Sequence, residues 1–134
     1  MQVLIDAGPI IAYFDQSDPA HELVDEFYEE YTGQLLTTLP VITEAVYLLR
    51  SSVAVQNELL ADLAKNVYEL VHLVAADFQR IAELNLKYKD LPADFADLSL
   101  VAISERLGVS KVATLDDDFN VYRRFRTDRF ERVL

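Results

Sequence analysis

The stretch Val3-Leu4-Ile5-Asp6-Ala7-Gly8-Pro9 is an apolar run, an acid at its end, and a glycine–proline pair that starts the next element. We read Gln2 to Ile5 as a strand and Gly8-Pro9 as the start of a short helix through Phe14. The same alternation continues outward along the chain. Asp18-Pro19 opens an amphipathic helix to Glu30, with Pro19 at the first helical position, where its missing N–H is tolerated. Gln34 to Thr37 is a strand, Val41 to Arg50 and Val55 to Asn66 are helices, and Glu69 to Leu73 is strand-like. A helix from Asp77 to Tyr88 precedes a break at Asp90-Leu91-Pro92. The helix Phe95 to Leu107 stops at Gly108, the residue type suited to a helix C-terminus. Lys111 to Leu115 is a strand, and the C-terminal segment holds at least one further extended piece. This pattern predicts an α/β fold, three-layer α/β/α with a mostly parallel central sheet. At 134 residues, with no repeat, low-complexity stretch or linker, residues 1–134 read as a single domain.

That architecture brings scattered acids to one edge. In an open parallel sheet, ligands bind in the crevice beyond the carboxyl ends of the strands, where the following helices also begin. Asp6 follows the first strand and Asp116 follows Val112-Ala113-Thr114-Leu115, while Glu44 lies early in an apolar helix and Asp97 in the first turn of another. Each has an ordinary explanation. Asp6 suits a turn or helix cap, and Asp94 with Asp97 has nearly the spacing of a capping pair, although the shorter Asp at the second position reaches back less easily. Asp116-Asp117-Asp118 reads as a solvated turn, and Glu44 as a surface position on a helix apolar nearly all round. Jointly, the four carboxylates would repel one another and raise each other's pKa values unless a cation filled the cluster. Oxygen ligands point to Mg2+ or Mn2+.

Composition sets further bounds. No apolar run approaches membrane-spanning length, and the N-terminus has no basic segment ahead of an uninterrupted apolar one, so we expect neither a membrane span nor export. The chain contains no cysteine, which excludes disulfides, thiolate zinc sites and cysteine nucleophiles and is compatible with a cytoplasmic location. A net charge of −11 counts against nucleic-acid binding by the whole surface. The segment from Val121 to Arg132 departs from this, with five arginines against two acids. Arg123, Arg124 and Arg126 in that strip are candidate RNA contacts, the alternative being a solvated edge or partner-binding tail. His21, in an amphipathic helix, and His72, in an apolar strand, read as structural.

The order Asp6-Ala7-Gly8-Pro9, Thr43-Glu44, Ala96-Asp97-Leu98-Ser99-Leu100 and Ala113-Thr114-Leu115-Asp116-Asp117-Asp118-Phe119 resembles the PIN-domain family, and within it the single-domain ribonuclease toxins of VapC type. The resemblance covers essentially the whole chain and implies a PIN-like, Rossmann-like fold. It implies that Asp6 and Asp97 are the two main metal-binding acids, that Glu44 and Asp116 complete the quartet, and that Thr114 and Asp118 support it. Leu98 departs from the small residue that many relatives carry there, a change that should affect packing more than chemistry. The implied activity is Mg2+- or Mn2+-dependent hydrolysis of RNA phosphodiester bonds by activated water. Implied partners are an RNA substrate, a small antitoxin protein and a second copy in a homodimer, with the helices Asp18 to Glu30 and Val41 to Asn66 supplying the surfaces.

Two other classes compete. A fold of this type with a weakly occupied site could serve only to bind RNA or protein; the presence of all four acids argues against it. Phosphotransfer and receiver domains also place acids at strand ends. Phosphatases of the haloacid dehalogenase type need a second Asp two residues after the first, where this chain has Gly8, and Ile5-Asp6 lacks the acid pair of receivers.

Overall fold

The computed structural model describes residues 1–91 and 93–134. The elements in chain order are β1 (Gln2–Ile5), α1 (Ala7–Phe14), α2 (His21–Glu30), β2 (Gln34–Thr37), α3 (Leu39–Leu48), α4 (Val53–Ala64), β3 (Tyr68–Leu70), α5 (Ala75–Lys87), α6 (Phe95–Leu107) and β4 (Lys111–Ala113). A 3-10 turn at Asp117–Asn120 and three short strands, β5 (Arg123–Arg124), β6 (Asp128–Arg129) and β7 (Glu131–Arg132), complete the chain. Pro92, part of the expected break between α5 and α6, lies outside the described residues.

Five strands form a sheet in the order β3-β2-β1-β4-β7, every neighbouring pair parallel. From β1 the chain steps outward through β2 to β3, then returns to the other side of β1 as β4. The direction of winding therefore reverses between β1 and β4, which is where an open α/β sheet leaves a crevice at its carboxyl edge. Leu4 pairs with Val112 and Ile5 with Ala113, and Asp6 N–H donates to Ala113 O at 3.1 Å, so the two strands end side by side. The apolar runs are buried because helices flank the sheet; Val3, Leu4, Ile5, Leu36, Val112 and Ala113 belong to one core.

Helix α6 is buried from Ala96 through Ser104. Such a helix must satisfy its polar groups internally. Ser99 Oγ donates to Ala96 O and Ser104 Oγ to Val101 O, both at 2.6 Å. Thr38 Oγ1 meets Ser99 Oγ at 2.7 Å, and since the Ser99 proton goes to Ala96, Thr38 is the donor. That bond ties the start of α6 to the β2–α3 junction. At the other end, Gly108 takes φ 69° and its N–H donates to Ser104 O, the left-handed stop that glycine permits. Asp77 joins α5 to α6 by accepting from Arg106 Nη2 at 2.9 Å, and also caps its own helix through Val74 N–H.

Several boundaries differ from the sequence expectation, each for a local reason. Helix α2 starts at His21 instead of Asp18-Pro19, because Asp18 folds its side chain onto Ala20 N–H at 2.9 Å and makes a turn. Helix α3 begins at Leu39, taking Pro40 into its first turn, and ends at Leu48. Ser52 caps α4 by accepting from Val55 N–H at 3.2 Å, which starts that helix at Val53. Strand β3 ends at Leu70, leaving His72 beyond it. Strand β4 ends at Ala113, since the Thr114 hydroxyl then captures Asp116 N–H at 3.0 Å and turns the chain out of the sheet. The expected C-terminal extension comprises β7, the fifth parallel strand, and the antiparallel β5–β6 hairpin.

Candidate metal centre

Beyond the carboxyl ends of β1 and β4 lies a cavity of about 280 Å³ lined by Asp6, Gly8, Glu44, Asp94, Asp97 and Asp116 together with apolar side chains. The four acids singled out in the sequence all reach it. Each arrives by a different route. Asp6 leaves β1 and caps α1, its Oδ1 accepting from Ala7 N–H at 2.8 Å. Its Oδ2 accepts from Thr114 Oγ1 at 3.1 Å, so the same hydroxyl that bends β4 also orients Asp6. Glu44 projects half-buried from α3, and Asp97 sits buried in the first turn of α6. Asp116 caps the 3-10 turn through Asp118 N–H at 2.9 Å.

Among the described residues, Asp97, Asp116 and Asp118 each offer one carboxylate oxygen within 4.8 Å of the others, a group that does not include Asp6 or Glu44. Asp118 therefore reaches the cluster itself. Asp94, assigned by its sequence position only to capping, does cap α6, its Oδ1 accepting from Asp97 N–H at 2.7 Å. It also lines the cavity. Tyr122, which nothing in the sequence marked, is fully buried and donates its hydroxyl to Asp97 Oδ2 at 3.0 Å.

The electrostatics follow from burial and crowding. Burial, only partly offset by the Ala7 and Thr114 hydrogen bonds, pushes Asp6 up to about 6, with Asp94 and Asp116 adding repulsion. Asp97 is pushed up to about 8, by burial first and then by Asp6 and Asp94. Glu44 and Asp118 are raised as well, again mainly by desolvation. Among the described residues that line the cavity, none is basic. The cluster is thus a set of hard oxygen ligands with uncompensated charge, and its chemistry fits a divalent cation such as Mg2+ or Mn2+.

The remaining candidates fall elsewhere. Arg124 is buried, with Nη2 donating to Ser104 O at 3.0 Å and Nε to Ser104 Oγ at 3.3 Å. Its guanidinium fastens the hairpin to α6, a packing role in place of the RNA contact considered from sequence. Arg123 Nη1 is occupied by the carbonyls of Asn120, Val121 and Tyr122. Arg126 is exposed. His21 Nδ1 donates to Ala12 O at 2.7 Å, and neither histidine lines the acidic cavity.

Beside the acids, and sharing Glu44 and Asp94 with them, an apolar cleft of about 600 Å³ is lined by Leu39, Pro40, Tyr47 and Phe95. Tyr47 is 60% exposed and Leu39 57%.

Comparison with known proteins bears on the family and the fold. A family model described as PIN domain matches residues 3–124. Ribonuclease VapC26 of Mycobacterium tuberculosis is 32% identical over 116 residues, covering 85% of this chain and 86% of the relative. Among solved structures, VapC20 of Mycobacterium tuberculosis, described as a sarcin-ricin loop cleaving toxin, superposes with a TM-score of 0.82 at 16% identity, covering 89% of this chain and 93% of that one. VapBC2 from Rickettsia felis, bound to a DNA fragment from its promoter, gives 0.66 at 14% identity over 98% of both chains. The structural matches bear on the fold alone, whereas the family model and the 32% relative reach through the sequence itself: the chain belongs to the PIN-domain family.

Proposed function

We propose that the protein is a Mg2+- or Mn2+-dependent endoribonuclease and the toxin of a toxin–antitoxin pair, acting in the cytoplasm. The observation that carries this reading is a cavity walled by mutually repelling carboxylates, two of them buried, with no basic side chain among its described lining. Identity of 32% to a relative named as a ribonuclease supports the substrate class.

In this account Asp6, Glu44, Asp97 and Asp116 hold the ion or ions, with Asp97 and Asp6 buried and held in place by hydrogen bonds. When bound there, a divalent ion would supply Lewis acidity that lowers the pKa of water and offsets charge on a phosphoryl oxygen. Thr114 holds Asp6 and Asp116 in register through one hydroxyl. Asp118, at the rim, adds a further acceptor for a water or an ion. Arg126, exposed on the hairpin, contacts phosphates of the RNA chain outside the cleavage site. No histidine takes part.

Two partners belong to the proposal. A second copy of the chain covers apolar surface on α3, where Leu39 and Tyr47 stand exposed, giving a homodimer. A small antitoxin protein binds as well, a reading supported by the likeness to the VapBC2 assembly. The direct experiment is cleavage of mixed RNA by purified protein with Mn2+, with chelator, and with Asp97→Asn. Activity that requires the metal and is lost in the variant supports the proposal; cleavage that persists unchanged in Asp97→Asn traces to a contaminating nuclease and leaves the chain without the proposed activity.

A further inference from the structure

We infer that Tyr122 is a positioning residue that orients Asp97 so that one oxygen is favoured as the ligand, and thereby biases the site toward small octahedral cations. The inference rests on the proposed metal-binding role of the acids. Tyr122 donates its hydroxyl to Asp97 Oδ2 at 3.0 Å, whereas Oδ1 has no hydrogen-bond partner among the described residues. The tyrosine cannot easily swing away. Its ring is fully buried and held edge-on between Tyr88 and Phe119, with centroid distances of 5.2 Å and 5.1 Å.

Its backbone belongs to the same turn as two of the acids. Tyr122 N–H donates to Asp118 O at 3.0 Å, and Asp116 Oδ1 accepts from Asp118 N–H at 2.9 Å. One rigid segment therefore presents Asp116 and Asp118 and also holds the carboxylate facing them from α6. A buried phenol needs an acceptor. Here that acceptor is a carboxylate oxygen of the cluster; the bond takes one of the two lone pairs of Oδ2, fixes the plane of the carboxylate and makes the unbonded Oδ1 the better donor toward a cation.

This asymmetry bears on which ion fits. Ca2+ takes six to eight oxygens and readily uses both oxygens of a carboxylate, whereas Mg2+ demands near-octahedral geometry and few protein carboxylates. Mn2+ shares the preference for oxygen ligands in an octahedral set. A carboxylate tied on one side serves the second kind of site better than the first. Partners of this sort commonly matter about tenfold or more in metal affinity.

The test is calorimetric titration of the full-length, metal-free protein with Mn2+ and with Ca2+, in the wild type and in Tyr122→Phe, which keeps the ring and deletes only the hydroxyl. The expected result is tighter Mn2+ than Ca2+ binding in the wild type, with about a tenfold loss of Mn2+ affinity in the variant and a narrowed Mn2+-to-Ca2+ ratio. A loss of packing alone would weaken both ions together. An unchanged ratio overturns the role of Tyr122 while leaving the metal site standing; absence of Mn2+ binding in the wild type overturns the site reading and the inference with it. If Tyr122→Phe does not fold, proton NMR of the wild type decides the matter. A hydrogen-bonded Tyr122 hydroxyl proton should be observed and should persist on saturation with Mg2+; its absence, or its loss on metal binding, would overturn the positioning role.

Discussion

Replacing Asp97 by Asn should stabilise the metal-free protein while removing its response to metal. The side chain is 4% exposed, and its carboxyl is raised from 3.8 to about 8 by burial and by the neighbouring acids. At pH 7 the unfolded chain carries the ionised form freely, whereas the folded one holds the carboxyl mostly protonated, at a cost with a ceiling of about 4 kcal/mol. Asparagine keeps the shape and can still accept from Tyr122, but it buries an amide whose N–H groups lack assured partners, at about 1–3 kcal/mol. The net expectation is a gain of about 2 kcal/mol, which in a domain of this size raises Tm by roughly 6 °C. Thermal unfolding followed by circular dichroism, in chelator, measures it. Saturating Mn2+, at a hundred times its Kd, should add about 2.7 kcal/mol to the wild type and much less to Asp97→Asn. The reasoning is refuted if the variant is less stable than the wild type in chelator, or if Mn2+ raises both melting temperatures equally.

Other expectations follow from the same contacts. Asp6 and Asp97 both have folded pKa values raised above 3.8, to about 6 and about 8, so protonation favours the folded state. Their contribution to stability is full below about 4 and lost as pH rises through about 6 to about 8; metal-free wild type should lose stability relative to Asp97→Asn over that window, and parallel curves would contradict this. Thr114→Val deletes a donor to Asp6 and an acceptor for Asp116 N–H, and should cost about 1–3 kcal/mol in urea unfolding together with most of the RNA cleavage. Gly108→Ala meets no atom within 4 Å but must keep φ 69°, so it should cost about 1–2 kcal/mol while per-molecule activity is retained at temperatures where the fold holds. Arg126→Ala should lower the salt dependence of RNA binding by about one phosphate contact, a log–log slope change near ~0.7, whereas Arg124→Ala should destabilise the fold and leave that slope alone.

The fold was legible wherever a local pattern and the tertiary structure asked for the same thing. Val3-Leu4-Ile5 ends in an acid and a turn signal, and it became a central strand whose neighbour β4 carries the same pattern. Gly108 stopped α6 at the expected residue. Boundaries slipped where a side chain competed with the backbone, as Asp18 did before α2 and Thr114 did after β4. At the site, the four acids were visible because strand ends and helix starts share an edge in a parallel sheet. Asp94 was hidden by a capping role that it does perform, since a cap explains its position completely without reference to the cavity. Tyr122 was invisible for a different reason. An aromatic residue in an aromatic-rich segment reads as core, and no spacing rule announces that its hydroxyl meets a carboxylate 25 residues earlier. Within the arginine strip, the burial of Arg124 was not legible because arginine is ordinarily exposed, whereas Arg124 found Ser104 inside the fold.

The central claim is that acids drawn from β1, α3, α6 and the turn after β4 together hold a hard divalent cation. Anomalous diffraction from crystals of the wild type soaked in Mn2+ addresses it without reliance on any activity. The account predicts a strong peak in the cavity, within coordination distance of oxygens from Asp97 and Asp116 and directly or through water from Asp6. A cavity without a peak at saturating Mn2+, or a peak only at exposed acids elsewhere on the molecule, would contradict it.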